Sequence, residues 1–121
     1  MSVYSVGVDL IEIERIEKLL DKYGDKFLKR IFTDTEIQYC QKKKDRGSYA
    51  ARFAAKEAVF KATGLGLGKG MTWKDVEVIN DEKGKPEIRL YGKTAELLKG
   101  KEIHISISHS KDASIAMVVA V

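Results

Sequence analysis

Residues 103–121 read IHISISHSKDASIAMVVAV, and this stretch decides the fold class. Isoleucines at positions 103, 105 and 107 alternate with polar residues, which is the period-two pattern of a half-buried β-strand. After Ser110, Lys111 and Asp112 the chain returns as the apolar run 114–121. Two apolar runs joined by a short polar turn predict an antiparallel hairpin.

The segments before this hairpin predict a second pair of strands. They lie near Trp73–Ile79 and Glu87–Tyr91, joined by a turn over 80–86, and a short helix follows over Lys93–Leu98. A glycine-rich connection, GLGLGKG at 64–70, precedes them. Glycine, proline and aspartate punctuate these runs as turn residues do.

The first half of the chain predicts one strand and then helices. Tyr4–Leu10 alternates as a buried or half-buried strand, with Val6, Val8 and Leu10 on one side. Helical spacing then continues to Gly24, and a short helix is expected over Asp25–Phe32. Thr33 and Glu36 fit a capping box, and Ser48 fits the N-cap of a helix that runs to about Thr63. The order predicts an α+β fold, with the N-terminal strand and helices packed on an antiparallel sheet, in one domain over residues 1–121.

Charge and cysteine content indicate the kind of partner and the cellular compartment. The 121 residues carry a net charge of +4, and residues 15–61 hold thirteen Lys and Arg against seven Asp and Glu. Such asymmetry favours an anionic partner, although a solvated lysine-rich surface explains it equally well. Cys40 is the single cysteine, which excludes an intrachain disulfide and favours a reducing compartment, the cytoplasm. The start of the sequence resembles neither a secretory signal nor a membrane span.

Two carboxylates stand out against their surroundings. Glu57 falls within the apolar stripe of its predicted helix, where a carboxylate is costly unless it is paired, protonated or metal-bound. Asp9 interrupts an apolar strand at its predicted end. Each has an ordinary alternative: Glu57 as a surface pair with Lys61, and Asp9 as the N-cap of the next helix.

Taken together, the two acids predict a metal site. If strand and helix pack, two bare carboxylates about 4 Å apart would repel by about 4 kcal/mol at an effective dielectric near 20. Oxygen ligands from two acids, completed by water and a substrate phosphate, are typical of Mg²⁺. Zinc is disfavoured because Cys40 and the two histidines lack ligand spacing.

Two further motifs are less specific. The glycine-rich connection at 64–70 matches neither the P-loop nor the dinucleotide-binding pattern. Its backbone amides could bind a phosphate, and a flexible connection without a ligand is an equally good interpretation. The motif SISHS at 106–110 places His109 among hydroxyls. That grouping suits phosphate binding better than a nucleophilic Ser–His pair, since no acid is placed to orient the histidine; a polar strand face is the ordinary alternative.

Three segments in order resemble the holo-[acyl-carrier-protein] synthase family, the small phosphopantetheinyl transferases. They are VGVD at 6–9, RFAAKEAVFKA at 52–62 and SISHS at 106–110, with GKP at 84–86 between the last two. The resemblance covers essentially the whole chain and implies the 4′-phosphopantetheinyl transferase-like fold. It implies transfer of the phosphopantetheine arm of coenzyme A to a serine of apo-acyl carrier protein, giving adenosine 3′,5′-bisphosphate, in bacterial fatty acid biosynthesis. It further implies Mg²⁺, a cytoplasmic homotrimer with active sites between subunits, and no nucleic-acid or membrane partner.

The resemblance also implies roles for individual residues. Asp9 and Glu57 would hold Mg²⁺ against the pyrophosphate, and Lys61 would contact phosphate or assist proton transfer. Arg15, on the first helix, would meet the acidic helix of the carrier protein. The nucleotide and its phosphates would be bound by the following residues: Arg52, Gly84, Lys85, Pro86, His109 and Ser110.

Some choices stay open at the level of sequence. Larger relatives place another acid two residues after the first aspartate, where this chain has Ile11, so water is the expected third metal ligand. Asp9 through a water, Lys61 or a metal-bound hydroxide could each be the general base. A small basic nucleic-acid-binding module is the alternative function, but it leaves both acids unexplained and lacks an aromatic stacking platform. An inactive trimer subunit would explain only the apolar terminal strand.

Overall fold

The described residues, 2–121 of a computed structural model, follow the predicted order of one strand, then helices, then strands. Met1, which the predicted 1–121 domain includes, lies outside them. The elements are β1 (Ser5–Glu12), α1 (Ile13–Tyr23), α2 (Asp25–Ile31), α3 (Asp34–Lys43), α4 (Gly47–Ala62), a 3-10 turn (Trp73–Asp75), β2 (Val76–Asn80), β3 (Pro86–Leu90), α5 (Gly92–Leu97), β4 (Ile103–His109) and β5 (Ala113–Ala120). The α+β prediction is confirmed. Within residues 2–121 no helix is long and apolar enough to cross a membrane.

The predicted terminal hairpin forms the larger of two antiparallel sheets. Its strand order is β1-β5-β4, so β5 is central and pairs with both neighbours. In this register Asp9 lies opposite Ala116, and His109 lies opposite Ser114. Strands β2 and β3 pair separately as a two-stranded sheet. The first strand of the chain is therefore an edge strand of the sheet that the last two strands build.

Helix α4 lies against the larger sheet and contributes much of the core. Many of its buried positions are small or aromatic, including Ala54, Ala58 and Phe60, each 0% exposed. Gly7 allows the close approach of β1, because a Cβ at that position would lie 1.9 Å from the backbone oxygen of Ala58. This contact fixes the height of β1 along α4 and so positions the residue two places further on, Asp9.

One face of the larger sheet is apolar and exposed, which the sequence did not predict. The alternation in β1 is as expected, but its apolar row points away from α4, while Ser5, Gly7 and Asp9 face the helix. We call the exposed set the apolar sheet face; its members are Val6, Val8, Leu10, Ile115 and Met117. Val6 and Leu10 are each 62% exposed, so β1 is half-buried, as one of the two predicted alternatives had it, and its apolar row lies on the uncovered side. Because Gly7 contacts the backbone of α4, its neighbours Val6 and Val8 must point to the opposite face of the strand.

Several predicted boundaries and caps need correction. Strand β1 continues to Glu12, so Asp9 lies within the strand, and the interpretation of Asp9 as a helix N-cap is wrong. Helix α4 begins before Ser48, whose backbone N–H instead donates to Asp45 Oδ1 at 2.8 Å. Trp73 lies in the 3-10 turn and not in a strand. The capping box of Thr33 and Glu36 is confirmed.

A fully buried ion pair joins α4 to the rest of the fold. Lys56 Nζ lies 2.7 Å from Glu36 Oε1, and both side chains are 0% exposed. Lys56 also donates to the backbone oxygens of Trp73 and Val76, and Glu36 accepts from the Val78 N–H at 2.9 Å. Burial lowers the pKa of Lys56, although the Glu36 carboxylate opposes that shift. The most deeply buried charge of α4 is thus Lys56, one position before the glutamate that the apolar stripe had indicated.

Candidate active site

Asp9 and Lys61 meet where β1 crosses α4. Lys61 Nζ lies 3.1 Å from Asp9 Oδ1 and donates to the Val8 backbone oxygen at 2.9 Å. The Asp9 side chain is only 17% exposed, whereas that of Lys61 is 51% exposed. The sequence-based pairing of Lys61 with Glu57 is therefore replaced by a pairing with Asp9.

Glu57 lies close enough to Asp9 to sense its charge. Its carboxyl group is partly buried, and burial raises the pKa of Glu57 above its usual range. The Asp9 carboxylate raises that pKa further, while Lys61 and Arg15 lower it. The structure thus brings together the two predicted acids, which are separated by 48 positions in the sequence, with Lys61 beside them. Two acids in a half-buried position with unfavourable mutual charge form a donor set that a divalent cation would stabilise.

The donor set fits Mg²⁺ and holds two protein carboxylates. Among residues 2–121 there is no cluster of three or more His, Cys, Asp or Glu side chains able to hold a metal ion. Ile11 is 3% exposed and belongs to the core, so it offers no further ligand at the position where larger relatives have an acid. Mg²⁺ usually keeps several waters and takes one or two carboxylates together with phosphate oxygens.

A cavity of about 530 Å³ opens between α4, the β2–β3 turn and the end of β4. Its lining includes four of the predicted nucleotide-binding residues, namely Arg52, Gly84, Pro86 and His109. Lys43 also lines it, so three basic side chains face the same space. This volume lies in the usual range of small-molecule sites, about 300–1,000 Å³.

Arg52 is held rigidly at the cavity wall. It is 4% exposed, its guanidinium stacks 4.2 Å from the centre of the Tyr39 ring, and it donates to the side-chain oxygen of Asn80. Asn80 in turn donates to the Gly84 backbone oxygen at 3.0 Å. Asn80 is a site residue that was not predicted from the sequence. An amide at the end of a strand, directly before a glycine-containing turn, was the available signal.

Lys85 and Ser110 lie beside the cavity but do not line it. The backbone N–H of Lys85 donates to Asp81 Oδ1 at 2.9 Å, within the turn between β2 and β3. The Ser110 hydroxyl accepts from the backbone N–H groups of Asp112 and Ala113, which closes the β4–β5 turn. In the single chain both residues shape turns that border the cavity.

The two groups of predicted residues lie on different sides of α4. Arg52 and Glu57 are five positions apart on one helix, which places them roughly 140° apart around its axis. The cavity lining contains neither Asp9, Glu57 nor Lys61. A single chain therefore separates the acids from the basic cavity.

Arg15 lies on the exposed side of α1, near the acids. It lines a shallow groove with Lys18 and Lys22, and it lowers the pKa of Glu57 through its charge. Lys18 is engaged by Glu14 at 3.0 Å. Arg15 is thus an exposed cation at the border of the acidic pair.

Comparisons with known proteins agree with this geometry. The model of the 4′-phosphopantetheinyl transferase superfamily matches residues 5–118. The chain belongs to this superfamily. It is 47% identical over 121 residues to the holo-[acyl-carrier-protein] synthase of Geobacter sp. (strain M21), with 97% of both chains covered. It is 46% identical over 115 residues to the synthase of Chlorobaculum tepidum, covering 94% of this chain and 95% of that one.

Solved structures of transferases in this superfamily share the fold. The holo-(acyl-carrier-protein) synthase of Bacillus anthracis, in complex with CoA (3′,5′-ADP), is 40% identical with a TM-score of 0.83, covering 98% of this chain and 96% of that one. The Helicobacter pylori synthase in complex with coenzyme A is 34% identical with a TM-score of 0.87, covering 96% and 99%. The predicted phosphopantetheinyl transferase-like fold is confirmed.

Proposed function

We propose that this chain transfers the 4′-phosphopantetheine arm of coenzyme A to a serine of apo-acyl carrier protein, as a holo-[acyl-carrier-protein] synthase. The convergence of Asp9 and Glu57, far apart in sequence, is the observation that carries the proposal. The similar proteins named as such synthases, and the relatives that bind coenzyme A, support the same reaction. The products would be holo-acyl carrier protein and adenosine 3′,5′-bisphosphate, in fatty acid biosynthesis.

Each side chain has a derivable part in the transfer. Asp9 and Glu57 would hold Mg²⁺, and bound Mg²⁺ neutralises charge that develops on the leaving phosphate. Lys61, anchored on Asp9 and the Val8 oxygen, places a cation beside the reacting phosphate. Arg52 and His109 in the cavity wall bind the phosphates of the nucleotide, while the Gly84–Pro86 turn, with Lys85, borders it. Fixed donors and cations of this kind align the phosphate for attack by the serine hydroxyl.

We further propose a homotrimer with active sites between subunits. The apolar sheet face supports it, since five exposed apolar side chains on one face are typical of a surface that another subunit covers. The separation of the acids from the basic cavity also supports it, because an interface can join the acids of one subunit to the cavity of the next. The single cysteine, Cys40, is buried and suits a reducing compartment, so we place the enzyme in the bacterial cytoplasm, as one domain over residues 1–121.

A nucleic-acid-binding module gains no support from the surface. Single-strand binders stack bases on neighbouring exposed aromatic rings. Here Phe32 and Phe60 are fully buried, and the exposed rings of Tyr4, Tyr23 and Tyr91 lie on separate segments.

The test is a transfer assay with apo-acyl carrier protein, coenzyme A and Mg²⁺. The carrier should gain one phosphopantetheine, which intact-protein mass spectrometry detects. A folded enzyme that leaves several apo carriers unmodified would contradict the proposal. Omitting the metal is the matched control, and it should leave the carrier mass unchanged.

Carrier docking is tested separately at Arg15. Arg15→Glu places a negative charge where an acidic helix would approach, so the KM for the carrier should rise about tenfold while the KM for coenzyme A stays near wild type. Lys26→Glu, an exposed charge reversal on α2, is the control. An effect of Arg15→Glu on kcat alone would contradict a docking role.

A further inference from the structure

Two residues that line the 530 Å³ cavity each carry a buried polar atom without a hydrogen-bond partner among residues 2–121. The two atoms are Ser114 Oγ and Arg52 Nε. Ser114 is 1% exposed and Arg52 4% exposed. Leaving a buried donor or acceptor unpaired costs about 1–3 kcal/mol, and nearly all such groups in native proteins are paired. Two such groups on residues of one cavity are positions where a bound ligand would supply the missing partners.

The surroundings fix the direction of both groups. Ser114 lies on β5 opposite His109, on the sheet face that α4 covers. The other nitrogens of the Arg52 guanidinium are engaged, Nη1 with the Ser48 backbone oxygen at 3.4 Å and Nη2 with Asn80. Tyr39 stacks on its plane. The Nε–H of this fixed group has no acceptor among residues 2–121.

We propose that Ser114 is a ligand-binding residue whose hydroxyl donates to a phosphate group at the nucleotide end of coenzyme A, beside the Arg52 Nε–H. An arginine N–H can only donate, so the ligand atom that meets it must be an acceptor. Lys43 and His109 line the same space and favour an anion. Asp45 is the one acid in the lining, and its Oδ1 already accepts from the backbone N–H of Ser48. This inference rests on the proposed function for the identity of the nucleotide.

Equilibrium binding of adenosine 3′,5′-bisphosphate, measured by calorimetry, tests the role of the hydroxyl. Ser114→Ala should weaken binding about tenfold, the scale of one hydrogen bond to a charged group. Adenosine, which has no phosphate, should bind equally to both proteins, and adenosine 5′-monophosphate shows whether the 5′-phosphate is the one contacted. Ser5→Ala is the matched control, since Ser5 Oγ is also buried and unpaired but lies outside the cavity lining; its bisphosphate affinity should equal wild type.

Thermal unfolding without ligand separates binding from folding. Ser114→Ala should unfold at the wild-type temperature or above, because it removes an unpaired buried hydroxyl. Ser114→Cys keeps the approximate size of the side chain and replaces the hydroxyl with a weaker donor, so its affinity for adenosine 3′,5′-bisphosphate should fall as in the alanine variant. It serves as the test if Ser114→Ala does not fold. Wild-type affinity in a folded Ser114→Ala or Ser114→Cys variant would overturn the proposal, as would an equal loss for adenosine. Failure of the wild-type protein to modify any carrier would overturn the proposed function instead.

Discussion

At the residue scale, the site depends on an unfavourable charge arrangement that the fold tolerates. Asp9 and Glu57 approach each other in a half-buried position. Lys61, which pairs with Asp9, and Arg15 offset only part of their repulsion, since the pKa of Glu57 stays above its usual value. Half-buried like charges weaken the metal-free protein and favour whatever cation removes the repulsion. If these two side chains hold the proposed metal ion, the stability of this protein and its affinity for metal are coupled through them.

Removing either carboxylate should weaken metal binding. Asp9→Asn and Glu57→Gln keep the size of each side chain but remove its charge, so Mn²⁺ affinity, read by electron paramagnetic resonance as a substitute for Mg²⁺, should fall more than tenfold in each variant. Transfer to the carrier should fall below one per cent of wild type. Glu87→Gln, an exposed carboxylate on β3, is the control and should keep both properties. Wild-type Mn²⁺ affinity in either site variant would remove that residue from the metal site.

The raised pKa of Glu57 makes the effect of Glu57→Gln depend on pH. A carboxyl whose pKa is higher in the folded than in the unfolded state destabilises the fold when ionised, and the penalty disappears as pH falls to its ordinary pKa of 4.5. Without metal, Glu57→Gln should therefore unfold at a higher temperature than wild type at pH 7.5. The difference should narrow towards pH 4.5, as fluorescence-monitored melting would show. A difference that grows on acidification would contradict this assignment.

The residues that could be predicted from the sequence are those whose chemistry conflicts with their local pattern. An aspartate within an apolar strand and a glutamate within an apolar helical stripe were both visible as anomalies. Lys56 was not, because a lysine beside a glutamate resembles an exposed pair, and only the fold brings Glu36 to meet it. The contact of Asn80 with Arg52 and the unpaired hydroxyl of Ser114 were likewise not visible in the sequence, since the first joins residues 28 positions apart and the second depends on a cavity that the fold creates.

At the element scale, the approach of β1 to α4 sets the geometry of the acids. Gly7→Ala would place a methyl group 1.9 Å from the Ala58 backbone oxygen, and a backbone atom cannot move aside as a flexible side chain can. We expect a loss of about 1–3 kcal/mol in the free energy of unfolding, and weaker Mn²⁺ binding because Asp9 shifts. Urea denaturation measures the first effect. Gly47→Ala, whose nearest neighbour is the end of the Asp45 side chain at 3.1 Å, should be nearly neutral for stability.

The buried ion pair gives α4 its second anchor, and a double-mutant cycle should reveal it. Glu36→Gln leaves the Lys56 charge buried without its partner, so the free energy of unfolding should fall by about 3–5 kcal/mol. Lys56→Met should also destabilise, but Glu36→Gln combined with Lys56→Met should cost clearly less than the sum of the two. Additive losses would show that the two charges do not interact. The exposed pair Glu14 and Lys18 is the matched control and should couple by less than 1 kcal/mol.

Element types were more predictable than element boundaries. Period-two and helical spacing located the strands and helices, because these patterns reflect which side of each element is covered. The extension of β1 to Glu12, and the pairing of β1 with β5, were not predictable because they depend on a sheet partner more than 100 positions away. The exposed apolar row of β1 was not predictable for the same reason. Alternation shows that the two faces of a strand differ, but it does not show which face the helix covers.

At the scale of the whole molecule, three features of the single chain bear on the proposed trimer. The acids lie at the β1–α4 contact, the basic cavity lies at the other side of α4, and the apolar sheet face is uncovered. A trimer that buries this face would account for all three observations. Sedimentation of the wild-type protein should then give three times the mass of 13.6 kDa, whereas a monomer at micromolar concentration would contradict the proposed assembly.

Mixed oligomers should reveal whether each active site draws on two subunits. Asp9→Asn disables the acids, and Arg52→Ala disables the cavity, so each variant alone should be inactive. Mixed trimers can be made by co-expressing the two variants with different affinity tags. If the acids of one subunit work with the cavity of the next, some sites in these trimers have both halves intact. Transfer activity should then return to a fraction of wild type. If both halves of a site came from one subunit, every site would carry one lesion and activity would stay absent. Asp9→Asn co-expressed with Glu57→Gln is the control, because both lesions lie in the same half and mixing should restore much less activity.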